Sequence, residues 1–438
     1  MANKAEQLTA FKLRSNSDVK GEAGSGHAAL VVILMFAVYL EIPLYFTETF
    51  YVPGAILVFS IPALLLINRN LISKSDLIFV IEIGAILLLT AFYSPGTEFL
   101  EHKLSGVAQT TVAIVGGILL AKEIGRLRRV TAEKIFFCLT LALLIGTILE
   151  VLGVLSGVSD SFREVAYGRG GYSVYSNEER DLLLAGFSRP KLFTSEPSLL
   201  AVGFFVFSTS WLLLLTTMKR WLLFLAATML MLYFTASPIL LISAGISVFI
   251  KYLNQYRVKK TGWIGVIATL GIILVISFFV FSGDFLEKIN SRFSNAASGA
   301  LIYEISSENL RIVFPYLTAA DVLSSSPIFG VGISGKDVVG LFSTLPIDPG
   351  HALGNNNLAA LFIYMGLVGG LGFIYFFYRY SRLSLAPSHQ LKLMILVLGF
   401  SQMMGGFESP RFWGYVFIFI EVLRLSQSTR PKTIELPR

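Results

Sequence analysis

The sequence predicts an all-α, polytopic membrane protein with about 12 transmembrane helices and two large periplasmic loops. Three observations carry that prediction. The 438 residues are 54% hydrophobic and only 14% charged, with a mean hydropathy of +0.71, which is far from the composition of a water-soluble domain. Apolar runs near the length needed to cross about 30 Å of hydrocarbon recur from end to end. These runs are continuous, whereas the strands of a membrane barrel alternate apolar with polar residues.

Twelve crossings are expected, at about 28–46, 51–67, 76–93, 105–121, 135–156, 197–217, 221–236, 238–250, 262–282, 356–378, 391–406 and 410–424. They leave a cytoplasmic tail at 1–27, a single transmembrane domain at 28–424 and a second cytoplasmic tail at 425–438. The stretch through His27 is polar and lacks the apolar core of a signal peptide. Basic residues assign the sides. Lys4 to Lys20, Arg69 and Lys74, Lys122 to Lys134, Lys219 and Arg220, Lys251 to Lys260, Arg379 to Lys392 and Arg424 to Arg438 fall on one face. That set holds 24 of the 35 lysines and arginines, so both termini are expected in the cytoplasm. The net charge of +7 therefore implies orientation and not nucleic acid. Trp221, Trp263 and Trp413 each follow a basic residue by one to three positions, as residues of an interfacial belt do.

The stretch from Arg220 to Leu253 is short for two crossings, yet both of its ends are basic. A hairpin of two short helices turning near Ser237 and Pro238 satisfies both facts. Cys138 lies between Phe137 and Leu139 and reads as packing; a lone cysteine forms no internal disulfide. Glu82, Glu150 and Glu421 lie within crossings, where an ionisable group is either functional or paired with a neighbouring helix.

This topology puts loops 156–195 and 283–355 outside, and connections that long are uncommon unless they carry function. The first loop contains Glu178, Arg180, Asp181 and then "RPKLFTSEPSLLA", Arg189 to Ala201. Ser195-Glu196-Pro197 reads as a helix start, with Ser195 as cap, Glu196 at the positive end of the dipole and Pro197 without a spare donor. On local chemistry alone Arg189 and Lys191 read first as a solvated or headgroup rim, and second as an anion site. The second loop carries a helical stripe of Leu310, Val313, Phe314, Leu317 and Leu323, with Arg311 in its first turns. The glycine-rich "SSSPIFGVGISG" follows, which either brings backbone close to a neighbour or reverses the chain. Next come Asp348, His351, Asn355 and Asn357. His351 is either a general base at a membrane mouth or a solvated turn residue. One histidine and no cysteine in these loops make a zinc site a poor expectation, and no phosphate-binding Gly-rich loop with a following lysine is present.

The ordered set "RPKLFTSEPSLLA", "NLRIVFPYLTAADVLSSSPIFGVGISG" and "HALGNNNLAALFIYMGLVGGLGFIYFFY" resembles the O-antigen polymerase and O-antigen ligase superfamily, over roughly Arg189 to Tyr378. The resemblance implies a metal-independent, cofactor-free glycosyltransferase of the bacterial inner membrane with a periplasmic active site. Its donor would be an undecaprenyl-pyrophosphate-linked oligosaccharide. A polymerase transfers the glycan to a sugar hydroxyl of another lipid-linked repeat, and works beside a flippase and a chain-length regulator. A ligase transfers it to lipid A–core. Arg189 and Arg311, with Lys191, would hold the leaving pyrophosphate. Arg180, Asp348, Asn355 and Asn357 would contact substrate. Ala352, Leu353 and Gly354 separate His351 from Asn355 where the family sets histidine directly before asparagine, so His351 and Glu196 stand as rival bases. From other classes, a lipid-linked glycan transporter would use the same loops without chemistry, and a membrane scaffold would not need their charges.

Overall fold

The computed structural model describes residues 25–46, 51–67, 71–168, 188–215, 219–235, 237–253, 313–334, 336–342 and 356–427. Helices follow the apolar runs. The elements are α1 (Ser25–Leu40), a short hairpin of β1 (Leu44–Tyr45) and β2 (Tyr51–Val52), α2 (Ala55–Ile67) and α3 (Lys74–Tyr93). A 3₁₀ turn at Thr97–Phe99 runs into α4 (Leu100–Gly125), and α5 (Arg129–Val151), α6 (Ser156–Tyr167) and α7 (Pro197–Leu214) follow. Then come α8 (Lys219–Thr235), α9 (Pro238–Tyr252), α10 (Phe314–Ser325), α11 (Lys336–Phe342), α12 (Asn357–Ser384), α13 (Pro387–Met403) and α14 (Pro410–Gln427).

Five helices are long and apolar enough to cross a membrane: α3, the Thr97–Gly125 helix containing α4, α5, α7 and α12. α1, α2, α8 and α9 are apolar but shorter. Helices stand at eleven of the twelve expected crossings, and 262–282 lies outside the described residues. The first crossing ends early. Glu41 adopts a left-handed φ of 50°, which stops α1 at Leu40.

Side-chain contacts sort the helix ends into two groups. At one end, His27 of α1 lies 3.3 Å from Glu123 of α4, and Lys122 of α4 lies 2.8 Å from Asp76 of α3. Tyr380 of α12 donates to Asp76 (2.8 Å), and Arg220 of α8 pairs with Glu133 of α5. Arg129 donates to the Leu214 carbonyl (2.7 Å), and Lys251 to those of Leu212 and Leu215 (2.7 and 2.8 Å). The two cations supply donors to carbonyls at the end of α7, where the helix runs out of its own N–H groups. Arg220 and Lys251 thus bring both ends of the α8–α9 hairpin to this basic end, as the charge pattern requires. Asp76 also closes a capping box with Ser73, which fixes where α3 begins.

α14 packs most closely on α4, α5 on α7, and α3 and α10 on α12. Gly117 sets the α4–α14 spacing, since a Cβ there would lie 2.9 Å from the Trp413 carbonyl oxygen. The expected tryptophan belt is not formed by the two described residues: Trp413 and Trp221 are both buried, and the Trp413 indole donates to the Phe407 carbonyl (2.9 Å). Trp413 follows Arg411 at the start of a helix packed on α4 and buried on all sides from 410 to 423, so it fills the core. Cys138 differs as well. It is exposed on the outward face of α5. The glutamates within crossings are all engaged. Glu82 pairs with Arg379, Glu421 with Arg424 at 2.6 Å, and Glu150 with backbone as described below.

α12 is broken at Gly366, where φ is 64° and ψ −168°. The break frees backbone groups that hydrocarbon cannot satisfy. The glycine-rich stretch supplies partners. Val331 and Gly332 donate their N–H groups to the carbonyls of Ile363 and Tyr364 (both 2.9 Å), and Leu367 donates to the Pro327 carbonyl (2.8 Å). Gly330 permits the approach, because a Cβ there would stand 2.3 Å from the Ile363 oxygen. The neighbour expected for "SSSPIFGVGISG" is therefore the backbone of α12. α10 also packs on α12, so its buried face is Phe314, Thr318, Ala319 and Val322, with Leu317 and Leu323 only half-buried. Leu310 lies outside the described residues.

Candidate functional site

The stretch Ser188–Glu196 forms the floor of the end opposite the basic one. It enters α7 through an unusual turn. Leu192 and Phe193 both have left-handed φ angles, 39° and 65°, which non-glycine residues hold only when other contacts fix them. Those contacts come from two helices. At the end of α5, the Glu150 carboxylate accepts the N–H groups of Lys191 (3.1 Å) and Leu192 (2.6 Å). On α6, Ser159 accepts the Phe193 N–H (3.1 Å), and Arg163 donates to the Thr194 carbonyl (2.9 Å) while pairing with Asp160 (2.7 Å). Tyr167 lies 2.6 Å from the Leu40 carbonyl and 3.1 Å from that of Phe193. Burial pushes the Tyr167 hydroxyl up to about 12, so it keeps its proton and donates at neutral pH.

Glu150 is accordingly a brace for this turn. Glu150→Ala leaves two buried N–H groups without acceptors, at about 1–3 kcal/mol each. The expected result is faster hydrogen exchange at the Lys191 and Leu192 amides with unchanged exchange in the core of α4. Wild-type protection at both amides would remove Glu150 from this role.

The α7 start differs in register from the expected cap. Glu196, not Ser195, occupies the cap position, Pro197 is the first helical residue, and the Glu196 side chain makes no capping bond to the helix amides. Ser195 is buried and its carbonyl is turned toward Arg163. The Glu196 carboxylate accepts from the Ser198 hydroxyl (3.0 Å). Lys191 is 3% exposed and its ammonium lies 3.9 Å from Asp160, so it belongs to the buried frame. Arg189 and Glu196 are half-buried.

A second knot ties this floor to α14. Buried Arg411 donates to the carbonyls of Tyr39 (3.2 Å) and Leu40 (2.9 Å), closing the end of α1, and pairs with Glu41 at 3.3 Å. Ser409 also donates to Glu41. From there the 404–409 turn leads to α12, where the Asn357 N–H donates to the Met404 carbonyl (3.2 Å). Asn356 caps α12 by accepting from Leu358 and Ala359 (both 3.1 Å) and donates to Gln402 (2.9 Å), which also accepts from Tyr316 of α10 (2.7 Å). Asn357 is 2% exposed, and neither its side-chain nitrogen nor its oxygen has a hydrogen-bond partner among the described residues.

Of the expected site residues, Arg189, Lys191, Glu196 and Asn357 therefore stand at one end of the bundle. Arg180, Arg311, Asp348, His351 and Asn355 lie outside the described residues. Ser159, Arg163, Tyr167, Glu41 and Arg411 were not expected there. The i, i+4, i+8 spacing of Ser159, Arg163 and Tyr167 was the readable signal for the first three. Nothing local marks Glu41 and Arg411, which are 370 positions apart. Among the described residues no group of three His, Cys, Asp or Glu side chains could hold a metal ion. No family model matches the chain, and no curated protein sequence matches it significantly.

Proposed function

We propose that this protein polymerises surface-polysaccharide repeat units on the periplasmic face of the bacterial inner membrane. In this reading the bond from the sugar's anomeric carbon to the pyrophosphate oxygen breaks. A bond from that carbon to an acceptor hydroxyl forms. The hydroxyl proton goes to His351 or Glu196, and undecaprenyl pyrophosphate leaves with its negative charge held by Arg189 and Arg311, while Lys191, buried beside Asp160, steadies the turn that follows Arg189. Arginine forks suit pyrophosphate oxygens because they donate in pairs.

One observation supports this reading above the rest. The described parts of the three stretches that resemble O-antigen polymerases and ligases are joined at one end of the bundle, through the 404–411 turn and the ends of α1 and α6. Arg189 and Glu196 are half-buried on a floor in which Arg163, Lys191, Glu41 and Arg411 are buried. The test is direct. The purified protein in liposomes, given an undecaprenyl-pyrophosphate-linked repeat and no other lipid acceptor, is expected to lengthen the glycan and release undecaprenyl pyrophosphate. Product formed only after lipid A–core is added would make it a ligase, and transbilayer movement of intact substrate without product would make it a transporter.

A further inference from the structure

α6 has its polarity reversed relative to a helix that meets only water on its outer side. Its inward face is Ser159, Arg163 and Tyr167, all buried. Its outward side carries Val158 and Val165, 60% and 82% exposed, with half-buried Phe162 between them on the same edge. Ser161 and Glu164 are exposed on an adjacent edge. Outward valines on a helix that buries an arginine are unfavourable in water and favourable against hydrocarbon.

The neighbouring helix says what covers them. On membrane-length α5, Val130, Cys138, Ile145 and Leu152 recur at steps of eight, seven and seven residues, and all four are exposed. That spacing keeps them on one outward stripe. Exposed Leu152 and Val154 continue it through the turn into α6. The outward apolar edge of α6 thus extends the surface that α5 presents to lipid. We infer that α6 is an interfacial helix whose Val158–Phe162–Val165 edge is seated in the boundary between acyl chains and headgroups of the bilayer, with Ser161 and Glu164 toward water. The only basic residue in α6 is Arg163, which is buried, so the occupant is the apolar boundary and not an anionic headgroup.

The arrangement has a consequence for the floor of the site. The same helix that rests in lipid holds the carbonyls and amides of Phe193, Thr194 and Ser195, so the bilayer surface sets the depth of Arg189 and Glu196. The inference concerns the position of α6 and stands whether or not the glycan chemistry does.

Site-directed spin labelling tests it. In a Cys138→Ser background, single cysteines replace Val158, Val165, Ser161 or Glu164, and each labelled full-length protein is reconstituted in phosphatidylcholine–phosphatidylglycerol vesicles. Collision with oxygen, which concentrates in lipid, is compared with collision with a water-soluble nickel chelate. The expected result is severalfold more oxygen and less nickel contact at 158 and 165 than at 161 and 164. Equal, high nickel contact at all four positions would put α6 in water and overturn the inference. Protection of 158 and 165 from both reagents would also overturn it, because protein and not lipid would then cover the edge. All four labels sit at exposed positions, and a monodisperse elution profile before reconstitution checks that each variant is folded.

Discussion

Arg411→Ala is expected to lower the thermal midpoint of the detergent-solubilised protein more than any other single truncation described above. Arg411 is buried, closes the carbonyl end of α1 and neutralises Glu41. Removing it leaves a buried carboxylate with no cation and α1 carbonyls with no donor, a loss of about 3–5 kcal/mol. The geometry also predicts the rescue. Glu41→Gln removes the stranded charge while keeping an acceptor for Ser409, so the double variant should lose less than the sum of the two single variants. Arg411→Lys should restore little, since an ammonium cannot span the Leu40 and Tyr39 carbonyls and Glu41 together. Midpoints measured at one scan rate for the four members of this cycle decide the matter. Strict additivity would show that the pair is not coupled.

Arg189→Ala and Arg311→Ala are expected to abolish chain extension without lowering the amount of protein in the membrane. A cation aimed at charge that develops on a leaving group supplies on the order of 10²–10³-fold in rate. In cells the expected surface glycan is a single repeat unit, and in liposomes the turnover falls by that factor. Arg189 is half-buried at the edge of the braced turn, whereas Arg411 is 3% exposed, so loss of Arg189 should lower the thermal midpoint less than Arg411→Ala does. That contrast with Arg411 separates chemistry from folding. Wild-type chain lengths in both variants would remove these arginines from the reaction and with them the polymerase assignment.

Much of the scaffold was legible because membrane insertion is decided by local composition. Apolar runs marked eleven of the described helices, and clustered lysines and arginines marked the end of the bundle at which α8 and α9 both close. The short turn at Ser237 and Pro238 was legible for the same reason: charge at both ends of a segment too short to cross twice forces a hairpin. The tryptophans misled because Trp413 beside Arg411 has the signature of a belt residue, and only its packing against Phe407, Phe412 and Phe417 shows that it belongs to the core. Ser195 misled because the turn at Leu192 and Phe193 shifts the start of α7 by one residue. That turn exists only because Glu150, Ser159 and Arg163 hold it from two other helices.

The sequence by itself determined that the chain is helical, apolar and asymmetric in charge, because each of these is a sum over neighbouring residues. Tertiary structure alone decided which polar groups meet at the end opposite the basic one: Glu41 with Arg411, Glu150 with Lys191 and Leu192, and the glycine-rich stretch with the break at Gly366. Those pairings close loops of tens to hundreds of residues, and their energy lies in satisfying buried donors and acceptors that no local pattern records.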